Sequence, residues 1–311
     1  MSDDGRVDVS IVIVSYNTRE LTIECIESIY AQTKYNFEII IVDNSSSDGS
    51  VEAIEKKFYQ DVRLMPQCEN LGFARGVNIG AAAARAPMLL LLNPDTEVLD
   101  GGIDRLLDFA AQNPDARIWG GRNIEPSGAV DPTSCYARMT LWGLVCRVLG
   151  LDRRFQASSF FNPELYGAWQ RDSVRRVDIV TGCFLLIDSA MWRMLGGFDE
   201  AFFMYGEEAD LCLRAKRFGA APLVTPNAAV MHVGAASERV HADKMVRLLK
   251  GKMTIVRRHF DALRRPFAIW LFTAWPWSRA VATRLSGRSD SDWSQIWARR
   301  REWWSGYGAR P

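Results

Sequence analysis

Residues 89–97 read Leu-Leu-Leu-Leu-Asn-Pro-Asp-Thr-Glu, and this stretch decides the fold. Four consecutive leucines without alternation predict a strand buried on both faces, the pattern of parallel sheet in an α/β domain. Pro94 has no N–H for a ladder and restricts Asn93, so the strand stops there. Asp95 and Glu97 then emerge beyond its carboxyl end, where open α/β sheets bind ligands. Two carboxylates at a rigid strand tip can share Mg²⁺ or Mn²⁺ with phosphates. Taken alone, the same residues also suit an ordinary turn.

Upstream, the run VSIVIV at 9–14 predicts a first strand, ending in Ser15, Tyr16, Asn17 and Thr18. Leu21, Cys25, Ile26 and Ile29 recur at helical spacing, and FEIIIV at 37–42 is a second buried strand. Strand, helix, strand is a right-handed βαβ unit. Asp43 closes the second strand, and a carboxylate there either accepts from a ribose or a pyrimidine N–H or caps its own loop. A short strand follows at 62–65. After it, Asn70, Gly72, Arg75 and Asn78 lead into an alanine-rich helix over 73–86, in which Gly72, Gly76 and Gly80 permit close backbone approach.

Downstream, 100–113 predicts a helix and 118–122 a strand. Residues 125–176 carry few periodic runs and many Pro, Gly, Arg and aromatic residues, the composition of a variable loop or lid. VDIVTGCFLLID at 177–188 is apolar again, broken at Thr181 and Gly182. A second chemically loaded stretch, YGEEADLCLR at 205–214, places Glu207, Glu208 and Asp210 at a helix start, where negative charge suits the dipole. Capping explains one acid there, not three. His232 ends the following strand; on the residues alone it reads as a structural histidine rather than a ligand.

The formal charge of +1 hides an asymmetry. Residues 239–311 carry 16 Lys/Arg against 5 Asp/Glu and seven of the eleven tryptophans, so the tail is electrostatically distinct from the acidic body. Residues 240–259 form a basic amphipathic helix, and the apolar run at 267–277 is too short to span a bilayer. Such a segment either lies in the interface of an anionic membrane or packs on the rest of the chain or a second subunit, as in a homodimer. The six scattered cysteines form no C-x-x-C or Cys/His cluster, which excludes a zinc site and fits reduced residues in a cytoplasmic protein. The polar, acidic first ten residues are no secretory signal.

VSIVIVSYN, IIIVDNSSSDGS, ENLGFARGVNIG, LLNPDTE, the Thr181-Gly182 strand, GGFDEAFFMYGEEADLCLR and the late His232 occur in the order found in family 2 glycosyltransferases. Over about residues 8–237 the chain most resembles the bacterial rhamnosyltransferase branch, in which Asn-Pro-Asp replaces the usual Asp-x-Asp. The resemblance implies a GT-A fold: a Rossmann-like, mixed and mainly parallel sheet with helices on both faces, here with a helical C-terminal extension. It implies a glycosyltransferase domain over 1–238, with a nucleotide-sugar half at about 8–125 and an acceptor and base half at 126–238, and an extension over 239–311. Ser15, Asn17, Asp43, Asn70, Gly72, Arg75, Asn78 and Asn93 would line the donor, and Thr181 and Gly182 the acceptor. Asp95 and His232 would hold Mg²⁺ or Mn²⁺, with Glu97 secondary.

In an inverting transfer a carboxylate takes the acceptor proton while a cation neutralises the leaving diphosphate. Glu208 occupies the place of the family's aspartate base. Its extra methylene leaves Glu207 and Asp210 open as alternatives. The branch implies dTDP-rhamnose as donor, with a UDP-hexose as the competing choice, and a glycan or polyprenyl-linked acceptor in cell-surface polysaccharide synthesis. No nucleic-acid partner is expected. Peripheral attachment to the inner face of the plasma membrane follows from the basic tail. An inactive sugar-nucleotide-binding scaffold and a nucleotidyltransferase are the readings from other classes; Ser15 to Arg19 lacks the glycine-rich triphosphate loop the latter needs.

Overall fold

The computed structural model describes residues 6–234, 241–286 and 292–308. The first half alternates β1 (Val9–Ser15), α1 (Arg19–Gln32), β2 (Phe37–Asp43), α2 (Ser50–Phe58), β3 (Val62–Pro66), α3 (Phe73–Ala83) and β4 (Met88–Leu92). β5 (Thr96–Leu99), α4 (Gly102–Gln112) and β6 (Ile118–Ile124) follow. The second half contains β7 (Cys135–Tyr136), α5 (Leu141–Leu149), α6 (Leu151–Arg154), β8 (Arg175–Arg176), β9 (Ile179–Val180), β10 (Phe184–Asp188), α7 (Ser189–Leu195), α8 (Glu207–Arg217) and β11 (Leu223–His232). α9 (His241–His259), α10 (Arg265–Leu285), α11 (Asp292–Ala298) and α12 (Arg300–Trp303) form the extension.

Eight strands order as β3-β2-β1-β4-β10-β6-β11-β5, and β8 joins the sheet beside β11. β1 to β4 are parallel, as are β6 and β11, while β10 runs antiparallel between β4 and β6. The carboxyl ends of β1, β2, β4, β6 and β11 therefore open on one edge, together with the amino ends of β10 and β5. Asp43, Asn93, Asp95 and His232 lie at that edge.

The leucine run does what its lack of alternation predicts. Leu89 and Leu91 enter the core on one face of the sheet, and Leu90 and Leu92 the core on the other. Each contributes about 2 kcal/mol by leaving water, so a charged residue at any of the four would break the sheet's centre. On α3, a Cβ at Gly76 would stand 2.9 Å from Val14 and one at Gly80 2.6 Å from Val12, so the glycine spacing does allow the helix to lie directly on β1.

Three expectations change. The chain beyond Pro94 is not simply a loop: residues 96–99 re-enter the sheet as β5, antiparallel to β11. Residues 125–176 contain two helices, and Leu144 of α5 is buried in a core made mostly by α9 and α10. That helix was hidden because its partner lies more than a hundred residues away. The apolar run at 267–277 is part of the 21-residue α10, which buries Ala268, Phe272 and Trp275 and exposes Phe267, Trp270 and Trp277. The basic helix over 240–259 is α9, with Val246, Leu249, Met253 and Val256 buried as its periodicity predicts. The expected boundary near residue 238 lies outside the described residues.

Candidate active site

Where β4 ends, the Asn93 N–H donates to the Cys183 carbonyl at 3.1 Å, and the Thr96 hydroxyl donates to the Asn93 carbonyl at 2.7 Å. These bonds fix the Pro94-Asp95 corner. The Val233 N–H then donates to the Asp95 carbonyl at 3.0 Å, which brings His232 Nε2 to 3.4 Å from Asp95 Oδ1. Burial opposes a charge on His232, but the hydrogen bond and charge of Asp95 prevail and raise the imidazole above its ordinary value. One carboxylate and one imidazole at a strand edge suit Mn²⁺ or Mg²⁺ whose remaining positions are taken by phosphate oxygens and water. Among the described residues no group of three or more His, Cys, Asp or Glu could hold a metal by itself, so the pair would need a phosphate-bearing ligand to complete the shell. Glu97 stands exposed on β5 opposite Met231.

The three acids of α8 have separate environments. Glu208 Oε1 accepts from the Tyr136 hydroxyl at 2.6 Å, and Oε2 receives the Gly206 N–H at 3.3 Å. Glu207 is buried, and its Oε2 has no hydrogen-bond partner among the described residues. Burial first, and the charge of Glu208 second, push its carboxyl well above the usual range. Asp210 Oδ2 accepts from Arg214 at 2.7 Å and its Oδ1 lies 2.8 Å from His259 Nε2. Burial disfavours that charge, yet the bond from His259 and the charge of Arg214 outweigh it and hold the carboxyl below its ordinary value. Asp210 is thus an anchor for α9, and Glu207 a buried acid whose charged form is disfavoured. Glu208 alone of the three is half-buried beside the open edge.

Gly182 brings the two sides together. A Cβ there would lie 3.4 Å from the Phe73 ring and 3.9 Å from Glu208 Cβ, while its neighbour Cys183 holds Asn93. Thr181 is spent on structure: its N–H and hydroxyl both donate to the Ser134 carbonyl, at 3.2 and 3.0 Å.

The donor-side candidates separate into surface and scaffold. Ser15 is fully buried, its hydroxyl within 3.2 Å of those of Thr18 and Thr22, so it does not face the strand tip. Asp43 is 1% exposed, and both its oxygens accept from Ser46, the loop-capping arrangement. Asn17 Oδ1 accepts from the Ser47 N–H at 2.8 Å, closing the same loop from the other side. Asn70 caps the Gly72 N–H at 2.9 Å. Gly72 has φ 81°, and its Cα lies against the Phe203 carbonyl with no space for a Cβ. Asn78 bonds both the N–H and carbonyl of Phe198, bolting α3 to the turn before α8. Arg75 remains half-exposed, 3.6 Å from Glu200. Tyr136, Phe73 and Phe203 escaped sequence reasoning because neither periodicity nor spacing marks them. Tertiary contacts with Gly72, Gly182 and Glu208 bring them to the site.

The mixed, mainly parallel sheet has GT-A architecture, with a carboxylate, an imidazole and a separate base candidate on the residues around it. The model of Glycosyl transferase family 2 matches residues 10–165, and the chain belongs to that family, in its rhamnosyltransferase-like branch. It is 30% identical over 235 residues to an N-acetylglucosaminyl-diphospho-decaprenol L-rhamnosyltransferase of Mycobacterium tuberculosis, covering 71% of this chain and 75% of that protein. The fold resembles a mannosyltransferase from Pyrobaculum calidifontis solved with GDP-Man and Mn²⁺, with a TM-score of 0.58 at 15% identity over 96% of this chain and 86% of that one. It also resembles GalNAc-T7 solved with UDP, GalNAc and Mn²⁺, with a TM-score of 0.63 at 16% identity over 98% of this chain and 59% of that one.

Proposed function

We propose that this glycosyltransferase inverts configuration as it moves L-rhamnose from dTDP-rhamnose to a polyprenyl-diphosphate-linked glycan in bacterial cell-surface polysaccharide synthesis. The Gly182-Cys183 pair carries the reading: the Cys183 carbonyl holds the corner bearing Asp95 and Gly182 adjoins Phe73 and Glu208, which supports a leaving-group side set next to an acceptor side. Asp95 and His232 are the residues that would hold Mn²⁺ or Mg²⁺. The cation, when bound, supplies charge neutralisation for the departing diphosphate. Glu208 takes the proton from the acceptor hydroxyl as that oxygen attacks the anomeric carbon. Burial disfavours a charge on Glu207, the neighbour of Glu208 on α8. Phe73, packed against Gly182, limits water at the reacting carbon. Arg75, half-exposed at the start of α3, is the donor-side cation, and the loop closed by Asn17 and Asp43 bounds the nucleoside.

The donor identity rests on the branch and on the name of the Mycobacterium relative. A screen of dTDP-rhamnose, UDP-hexoses and GDP-mannose with Mn²⁺, scored for nucleoside diphosphate against pyrophosphate, tests it. Nucleoside diphosphate from dTDP-rhamnose alone is expected. Turnover of a UDP-hexose instead overturns the donor, pyrophosphate overturns the class of reaction, and donor binding without turnover points to a scaffold.

The acceptor reading includes a membrane surface. No helix among the described residues is long and apolar enough to cross a bilayer. Leu263, Phe267, Trp270 and Trp277 are each more than half exposed along one face of α10 and its approach, with Arg264 and Arg265 at its start. Aromatic side chains beside arginines suit the interface of an anionic leaflet.

A further inference from the structure

We propose that Tyr136 is a positioning residue for the transfer, holding Glu208 in the orientation and charge state in which it accepts the acceptor proton; this rests on Glu208 being the base. The phenol donates to Glu208 Oε1 at 2.6 Å, a short bond of the charge-assisted kind. It leaves Oε2, which receives only a 3.3 Å bond from the Gly206 N–H, to meet a hydroxyl.

What distinguishes this contact from incidental packing is how firmly the tyrosine's own backbone is held. β7 is only two residues long, paired with β9 through Cys135 opposite Val180 and Tyr136 opposite Ile179. Arg171, 2% exposed, directs its guanidinium at the carbonyls of Pro132 and Cys135 on the residues just before. On the other side, the Ala137 N–H donates to the Glu164 carbonyl at 2.8 Å. The Glu164 carboxylate is itself fixed between Arg147 at 2.5 Å and Lys252 at 2.7 Å. A short strand gripped at one end by a buried guanidinium and at the other by the backbone of an ion-paired glutamate is a preorganised support, not a loop that happens to lie nearby.

The surroundings of Glu208 keep the tyrosine's role distinct. Tyr136 approaches from β7, Glu207 and Cys212 from α8, and Lys252 from α9, with Glu164 behind the phenol. Burial, then the charge of Glu208, drive the Tyr136 phenol well above its ordinary range, so it remains a donor. Cys212 is pushed up to about 12 by burial, and burial raises Glu207 as well. The Tyr136 hydroxyl and the Gly206 N–H donate to the two Glu208 oxygens, and Lys252 faces them from α9.

The test compares wild type, Tyr136→Phe, 3-fluorotyrosine placed at 136, and Glu208→Gln, with dTDP-rhamnose, Mn²⁺ and a polyprenyl-diphosphate-linked N-acetylglucosamine acceptor. Tyr136→Phe is expected to lower kcat about tenfold with donor affinity unchanged. The acid limb of its pH profile moves up by about one unit, because a lost hydrogen bond to the charged form makes that form harder to keep. The fluorinated phenol, nearly the same in shape and a stronger donor, moves that limb the opposite way and covers the case in which Tyr136→Phe fails to fold. An unmoved limb in both variants, with Glu208→Gln inactive, overturns the positioning role and leaves the base assignment standing. Turnover retained by Glu208→Gln overturns the base assignment, and the proposal with it.

Discussion

Gly251 of α9 lies against the carbonyl of Tyr205 so closely that no side chain fits between them. Tyr205 and Gly206 take left-handed φ values of 68° and 101° to launch α8, so the extension touches the backbone that sets the direction of Glu208. The Tyr307 hydroxyl donates to the Met204 carbonyl at 2.8 Å from the other side. The basic tail is therefore part of the support of the proposed base as well as a charged surface.

Gly251→Ala is predicted to force α9 away from this loop. Overpacking against backbone costs about 1–3 kcal/mol. Thermal melting should show that loss, and kcat should fall more than donor affinity. Wild-type melting and turnover would mean that α9 adjusts freely and supports nothing.

Breaking the buried charge cluster gives a pH signature. Burial works against the Glu164 charge, but Arg147 and Lys252 more than offset it and hold the carboxyl at about 2. A carboxylate depressed in the folded state contributes stability above its unfolded value, here 4.5, and loses it as pH falls toward about 2. Burial also lowers the Lys252 ammonium, so the pair contributes less than the carboxylate alone. Glu164→Gln should destabilise by about 1–3 kcal/mol near neutrality, since it removes the carboxylate that two half-buried cations share. Its denaturation midpoint should vary less between pH 4.5 and 2 than that of the wild type. An equal slope in both proteins would remove Glu164 from the acid response.

Replacing Phe267, Trp270 and Trp277 with serine should leave melting nearly unchanged, because all three side chains are exposed. Flotation with phosphatidylglycerol vesicles should weaken, and salt should weaken what remains. Truncation before α9 cannot ask this question, since it would also strip the support from α8. Unchanged flotation in the triple variant would assign the face to another partner, a second subunit included.

Asp95→Ala should abolish the Mn²⁺ dependence of donor binding, with His232→Ala causing a smaller loss. Calorimetric titration of dTDP-rhamnose with and without Mn²⁺ reads this directly. Identical metal dependence in wild type and Asp95→Ala would place the cation elsewhere.

Much of this was legible in the residues, for reasons that can be named. The leucines of β4 fill both faces of the sheet, and nothing but a doubly covered strand does so. Asp95 and His232 belong to separate motifs, and their 3.4 Å approach became visible only once β11 paired with β5. Among the three acids, charge pattern could not separate roles that depend on neighbours supplied by other elements: Tyr136 for Glu208, His259 for Asp210, and burial for Glu207. Ser15 and Asp43 carry the residue types of a ligand site but are turned inward, because alternation along a strand, rather than chemistry, decides which way a side chain points. α5 had no local partner, so its apolar face read as irregular until α10 covered it.

The most direct test of the central claim is titration and turnover of Glu208→Gln with dTDP-rhamnose and Mn²⁺. Removing the base while leaving Asp95 and His232 intact should preserve donor affinity and lower kcat by about 10²–10⁴-fold. Turnover within a few-fold of wild type would contradict the account and place the base outside α8.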